Sequence, residues 1–139
     1  MTTIDEALEG TTPLAEKVRA GGPYRSTAEV VARMRAVLPE LTEAERVATL
    51  NAHPRIGEDK SRLSSRSLEE QGGDQLPELA RLNAEYERRF GFRFVVFVNK
   101  RPKAAIVEVL RTRLRRSRDD EMDEGLQAIV DIAADRLSR

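Results

Sequence analysis

Phe92-Arg93-Phe94-Val95-Val96-Phe97-Val98 is the one β-like run in the chain, dense in Phe and Val. Gly91 precedes it, and Arg101-Pro102 breaks the chain after it. No second run of this kind is available to pair with it, and a lone strand is not stable in water. We therefore read it as an extended, buried segment lying between helices. That reading decides the fold class: an all-α domain of about six or seven helices.

Working outward, both flanks carry helical periodicity. Downstream, Ile106, Val107, Leu110 and Leu114 share one helical face, and Met122, Leu126, Ile129, Val130, Ala133 and Leu137 share another. Upstream, Pro77 opens a helix that buries Leu79, Leu82, Tyr86 and Phe90 and stops at Gly91. Nearer the N-terminus, Thr12-Pro13 is an N-cap followed by a first-turn proline, and Gly21-Gly22 ends that helix. Ser26-x-x-Glu29 and Thr42-x-x-Glu45 are capping-box patterns. Val30, Val31, Met34 and Leu38 follow the first, and Val47 and Leu50 follow the second. The helix after Thr42 ends near Ala52 or His53, because Pro54 pushes the residue before it out of the α region. Residues 54–64 read as a loop, and Ser65 to Gln71 as a short helix closed by Gly72-Gly73.

Composition narrows the function classes. The chain has 139 residues, enough for one domain with a real core. Its 24 basic and 24 acidic residues leave no net charge, unlike most nucleic-acid binders. It has no Cys and one His, which excludes thiol chemistry and leaves a metal site with little beyond carboxylates. No apolar run approaches the ~18 residues of a membrane span. Met1-Thr2-Thr3-Ile4-Asp5-Glu6 has no signal-peptide character, and Leu137-Ser138-Arg139 is not a peroxisomal signal. The expectation is a soluble cytoplasmic protein, with no metal, nucleic-acid or membrane partner.

Chemistry near neutral pH must start at the single histidine, in Ala52-His53-Pro54-Arg55-Ile56-Gly57-Glu58. His53 is expected at a helix C-terminus, where the dipole raises its pKa, and a carboxylate would raise it further. Glu70 is the candidate, because the loop can fold the short helix back. The functional reading is a His53–Glu70 acid–base pair. The plainer one is a capping histidine, with Ser67-x-x-Glu70 acting only as a capping box.

Two other residues attract notice. Asn83 shares a face with Leu79 and Tyr86, so its amide must hold either loop backbone or a ligand. Arg136 follows Ile129 by seven residues, about 20° away on the helical wheel. A guanidinium beside an apolar stripe needs an anion, from the core or from a substrate. By contrast, Arg111, Arg113, Arg115, Arg116 and Arg118 read as a solvated helix end. The acidic run from Asp119 to Glu124 then starts the next helix.

Taken in order, His53-Pro54-Arg55-Ile56-Gly57-Glu58, Ser67-x-x-Glu70-Gln71, Leu82-Asn83-x-x-Tyr86, Phe90-Gly91-Phe92-x-Phe94-Val95 and Ile132-Ala133-x-x-Arg136-Leu137 form a pattern. It resembles the 2-oxo-4-hydroxy-4-carboxy-5-ureidoimidazoline (OHCU) decarboxylases, from about Leu41 to Leu137. The resemblance implies an all-helical homodimer, with no cofactor, that takes OHCU to (S)-allantoin in urate breakdown. It implies catalytic roles for His53 and Glu70. It further implies substrate contacts from Pro54, Ser67, Gln71 and Arg136, and from the backbone of Phe94, Val95 and Val98. The chain departs from the family in lacking a Trp near Leu14, and in its short segment before Leu41. The loop between His53 and Ser67 is also shorter than in some members. The competing readings are a non-enzymatic helical interaction module and a decarboxylase of another small carboxylated heterocycle.

Overall fold

A computed structural model of the chain describes residues 2–56 and 76–138. Among these residues there are seven α-helices and no strand. They are α1 (Ile4–Ala7), α2 (Pro13–Ala20), α3 (Thr27–Val37), α4 (Glu43–Asn51), α5 (Leu76–Phe90), α6 (Lys103–Arg113) and α7 (Arg118–Leu137), with a 3₁₀ turn, Leu38–Glu40, after α3. The short helix expected over Ser65 to Gln71 lies outside the described residues.

Local signals account for most helix starts. Thr12 Oγ1 accepts the Ala15 amide, and Pro13 occupies the first turn of α2. Thr42 and Glu45 close a full capping box on α4. Ser26 forms half of the expected box: its hydroxyl takes the Glu29 amide, but the Glu29 carboxylate bonds the amide of Arg25. Sequence reading missed α1 altogether. It is a four-residue turn held by a capping box between Thr3 and Glu6.

The last helix, α7, is the axis of the bundle. It packs against α1, α3 and α4, while α2 bridges α3 and α4, and α5 packs on α6. Leu126, Ile129, Val130 and Ala133 form its buried stripe. Gly125 lets α4 come close, since a Cβ there would lie 2.8 Å from Leu50 Cδ2.

Residues 92–98 form no regular secondary structure, as expected from the missing partner strand. Side chains do the work of a neighbouring strand. The Arg93 amide donates to Asn51 Oδ1 at 2.9 Å, Arg113 Nη1 donates to Val95 O at 2.7 Å, and Arg101 donates to the carbonyls of Phe97 and Val98. Buried backbone groups need such partners. Phe92 and Phe94 pack their rings around Tyr86, with centroids 6.0 and 5.3 Å away.

The arginine run is not simply solvated, contrary to expectation. Arg113 lies three residues after Leu110, on the buried face of α6, and is 4% exposed. Its Nε bonds the fully buried Glu121 carboxylate at 2.7 Å, and its guanidinium sits over the Phe94 ring at 4.7 Å. Glu121 also accepts from the Tyr86 hydroxyl at 2.6 Å and from Arg116 at 3.1 Å. Burial, and then the hydrogen bond to Glu121, push the Tyr86 phenol above its ordinary range. Arg111 pairs with Glu78 and Glu108, and Arg118 with Glu43. A buried charge is tolerated here because several partners converge on it.

Candidate active site

His53 stands two residues beyond α4, past the cap at Ala52, with its amide bonded to Leu50 O at 3.2 Å. The Arg93 guanidinium donates to its carbonyl at 3.1 Å, while the Arg93 amide holds Asn51. The end of α4 and the start of the 92–98 segment are thereby tied together. Pro54 is half-buried beside it. Arg55 then grips the Glu87 carboxylate through two bonds of 2.7 and 3.0 Å, and Asn83 Nδ2 donates to Ile56 O at 3.4 Å. Asn83 Nδ2 thus holds loop backbone, while its buried Oδ1 has no partner among the described residues.

The imidazole side chain is 14% exposed. Burial pushes its pKa down to about 4, against Glu9, which raises it, and with Arg136, which lowers it. The shift runs opposite to the upward one expected from the helix terminus. Among the described residues, desolvation of the cation outweighs the one carboxylate that faces the ring, Glu9. At neutral pH the ring is neutral and is equipped to accept a proton.

The carboxylate beside it among the described residues is Glu9, from the turn after α1. Its Oε1 lies 3.9 Å from His53 Nδ1 and 2.5 Å from Arg136 Nη1. Arg136 Nη1 also donates to Ala7 O at 3.2 Å. The anion that Arg136 requires thus comes from within the chain. Sequence reading missed Glu9, and its sole signal was the unmet charge of Arg136. Ser67, Glu70 and Gln71 lie outside the described residues.

Phe94 and Val95 are buried, and Val98 is partly buried. The Val95 and Val98 carbonyls are engaged by Arg113 and Arg101. A separate cleft of about 480 Å³ is lined by Val96 and Phe97 of the segment expected to border the substrate, with Asn99, Arg101 and others, but by neither His53 nor Arg136. No group of three or more acidic or His residues suited to a metal occurs among the described residues. Nor, among them, is any helix long and apolar enough to cross a membrane.

A neutral imidazole facing a carboxylate–guanidinium pair inside a helical bundle is an arrangement able to accept and return a proton. Comparison with known proteins gives the chain a family. The OHCU decarboxylase profile matches residues 1–138, and the chain belongs to that family. It is 29% identical to the 2-oxo-4-hydroxy-4-carboxy-5-ureidoimidazoline decarboxylase of Haloferax volcanii, over 96% of this chain and 83% of that protein. It is 28% identical to the enzyme of the same name from Xenopus laevis, over 83% of this chain and 72% of that protein. It is also 28% identical to the uric acid degradation bifunctional protein PucL of Bacillus subtilis, spanning 98% of this chain but 29% of that longer protein. A crystal structure of OHCU decarboxylase in the presence of (S)-allantoin superposes with a TM-score of 0.72 at 22% identity, over 90% of this chain and 87% of that one. The likeness extends N-terminally beyond Leu41, where the motif resemblance began, and so includes Glu9.

Proposed function

We propose that the protein decarboxylates OHCU to (S)-allantoin and carbon dioxide, with His53 and Glu70 as its acid–base residues. The observation that carries this reading is the family match along residues 1–138. The same proposal makes the chain one cytoplasmic domain that works as a homodimer.

The chemistry fits the residues. Breaking the bond to the carboxylate leaves an electron pair on the ring carbon that bears the hydroxyl. The adjacent C=N bond accepts that pair, so a carbon–carbon double bond forms and the ring nitrogen takes a proton from solvent. The substrate is its own electron sink, a task for which many enzymes use a cofactor. The hydroxyl proton then moves to the neighbouring carbon as the carbonyl forms, on one face only. A neutral His53 accepts the hydroxyl proton and returns it as imidazolium, with Glu70 as the second acid–base residue, in contact with the substrate. Pro54, Ser67, Gln71, Arg136 and the backbone of Phe94, Val95 and Val98 orient the ring and the ureido arm. Positioning and proton transfer each supply several powers of ten.

The test is to add the protein to freshly generated OHCU and follow allantoin by circular dichroism. Rapid appearance of the (S) signal is expected. Racemic allantoin formed at the uncatalysed rate would refute the proposal.

A further inference from the structure

We propose that Glu9 is a positioning residue for this reaction. Its carboxylate anchors one corner of the Arg136 guanidinium and faces Nδ1 of His53, so that the rest of the guanidinium and Nε2 of the imidazole are presented to the substrate. This rests on the reading of His53 and Arg136 given above.

Three observations support it. First, Glu9 and Ala7 O both converge on the same nitrogen of Arg136, Nη1. Arg136 makes no other hydrogen bond among the described residues, and Nε and Nη2 are assigned to substrate oxygens. Held at one corner, the planar fork keeps its direction, as bidentate recognition requires.

Second, the backbone of Glu9 is left-handed, with φ +66°, and Gly10 follows at φ +118°. A side chain crowds the backbone in this region, which is why glycine is usual there. A glutamate at such a place points to a task for its carboxylate. The turn itself is firmly built. The Gly10 amide bonds Asp5 O at 2.7 Å, and Thr12 caps α2 immediately after. The carboxylate is therefore delivered from a fixed backbone.

Third, among the described residues the charges around the imidazole are few. Glu9 and Arg136 face the ring, Arg93 meets the His53 carbonyl, and the Arg55–Glu87 pair lies just beyond. Of these, Glu9 is the carboxylate that approaches Nδ1. A proton on Nδ1 would point at it and leave the Nε2 lone pair as the base. When His53 takes the substrate proton, the resulting imidazolium is stabilised by the same carboxylate. In the free enzyme the 3.9 Å separation is long for a hydrogen bond, and such contacts often tighten only with substrate bound.

The experiment exploits the single histidine. Long-range proton–nitrogen NMR at neutral pH reads the tautomer of one imidazole without interference. We expect the Nδ1–H form to dominate in the wild type and the Nε2–H form to gain in Glu9→Gln and Glu9→Ala. In steady-state kinetics, Glu9→Gln keeps an oxygen for Arg136 but loses the charge. It should lower kcat about tenfold with KM nearly unchanged, while Glu9→Ala should also raise KM. An Nε2–H wild type, or wild-type tautomer and kcat in Glu9→Gln, overturns the proposal. The tautomer is read without substrate. If the wild type leaves OHCU untouched but shows the tautomer change, the reaction is refuted and the hold of Glu9 on His53 stands.

Discussion

Arg136 and Glu9 come from opposite ends of the chain and meet at 2.5 Å beside the one imidazole. The final helix, α7, carries Arg136 back across the bundle to α1, against which it packs. The two chain ends thus form one wall of the candidate site. The N-terminal segment supplies a charged group to it as well as packing.

Substitution at Arg136 should therefore act on substrate binding. Arg136→Lys keeps the charge but loses the planar fork, so it cannot hold Glu9 and Ala7 O while offering two parallel donors. KM for OHCU should rise about tenfold, with a smaller change in kcat. An unchanged KM measured in initial-rate kinetics would remove Arg136 from the binding site.

Acid should destabilise the fold through His53. The group titrates at about 4 in the folded chain, against 6.5 for an unperturbed histidine. Between these values the unfolded chain binds a proton and the folded chain does not, so acid favours unfolding. The stabilisation is fully present above pH 6.5, declines through the window and is gone below pH 4. It amounts to on the order of 3 kcal/mol. His53→Asn removes this titration, so its Tm should fall less steeply than that of the wild type between pH 6.5 and 4. Parallel Tm profiles would contradict a buried, neutral imidazole.

The reach of sequence reading can be judged from individual residues. The helices α2, α4 and α5 were legible because their caps and breakers are local: Thr12-Pro13, Thr42 with Glu45, and Pro77 with Gly91. The strandless Phe92–Val98 run was legible from what the chain lacks, a partner strand. The first helix was not, because a four-residue turn carries no periodicity. His53 was found as the sole group with a suitable pKa, but the direction of its shift was not. Burial is a tertiary property, and it outweighed the local dipole. Arg136 announced an unmet charge, yet its partner sits at the far end of the chain in a left-handed turn that no spacing rule reveals. Arg113 was misjudged for the same reason. Its neighbours Glu121, Tyr86 and Phe94 assemble only in three dimensions.

The buried ion network should be a stability determinant. Glu121 is fully buried and accepts from Tyr86, Arg113 and Arg116. Glu121→Gln removes the charge that the two guanidinium groups share and places an NH₂ group among donors. It should cost about 3–5 kcal/mol, read as a lower urea midpoint. A midpoint within error of the wild type would show that Glu124, which pairs with both arginines at 3.1 and 2.7 Å, balances them without Glu121.

If His53 moves the proton in an OHCU decarboxylation, the rate of (S)-allantoin formation by His53→Asn will reveal it. Asparagine approximates the shape of the ring but cannot accept and return a proton near neutral pH. The account predicts that the folded variant loses at least ~100-fold in kcat, the lower end for general acid–base catalysis. It also predicts that the allantoin still formed loses its handedness. A folded His53→Asn protein that produces (S)-allantoin at close to the wild-type rate would contradict it.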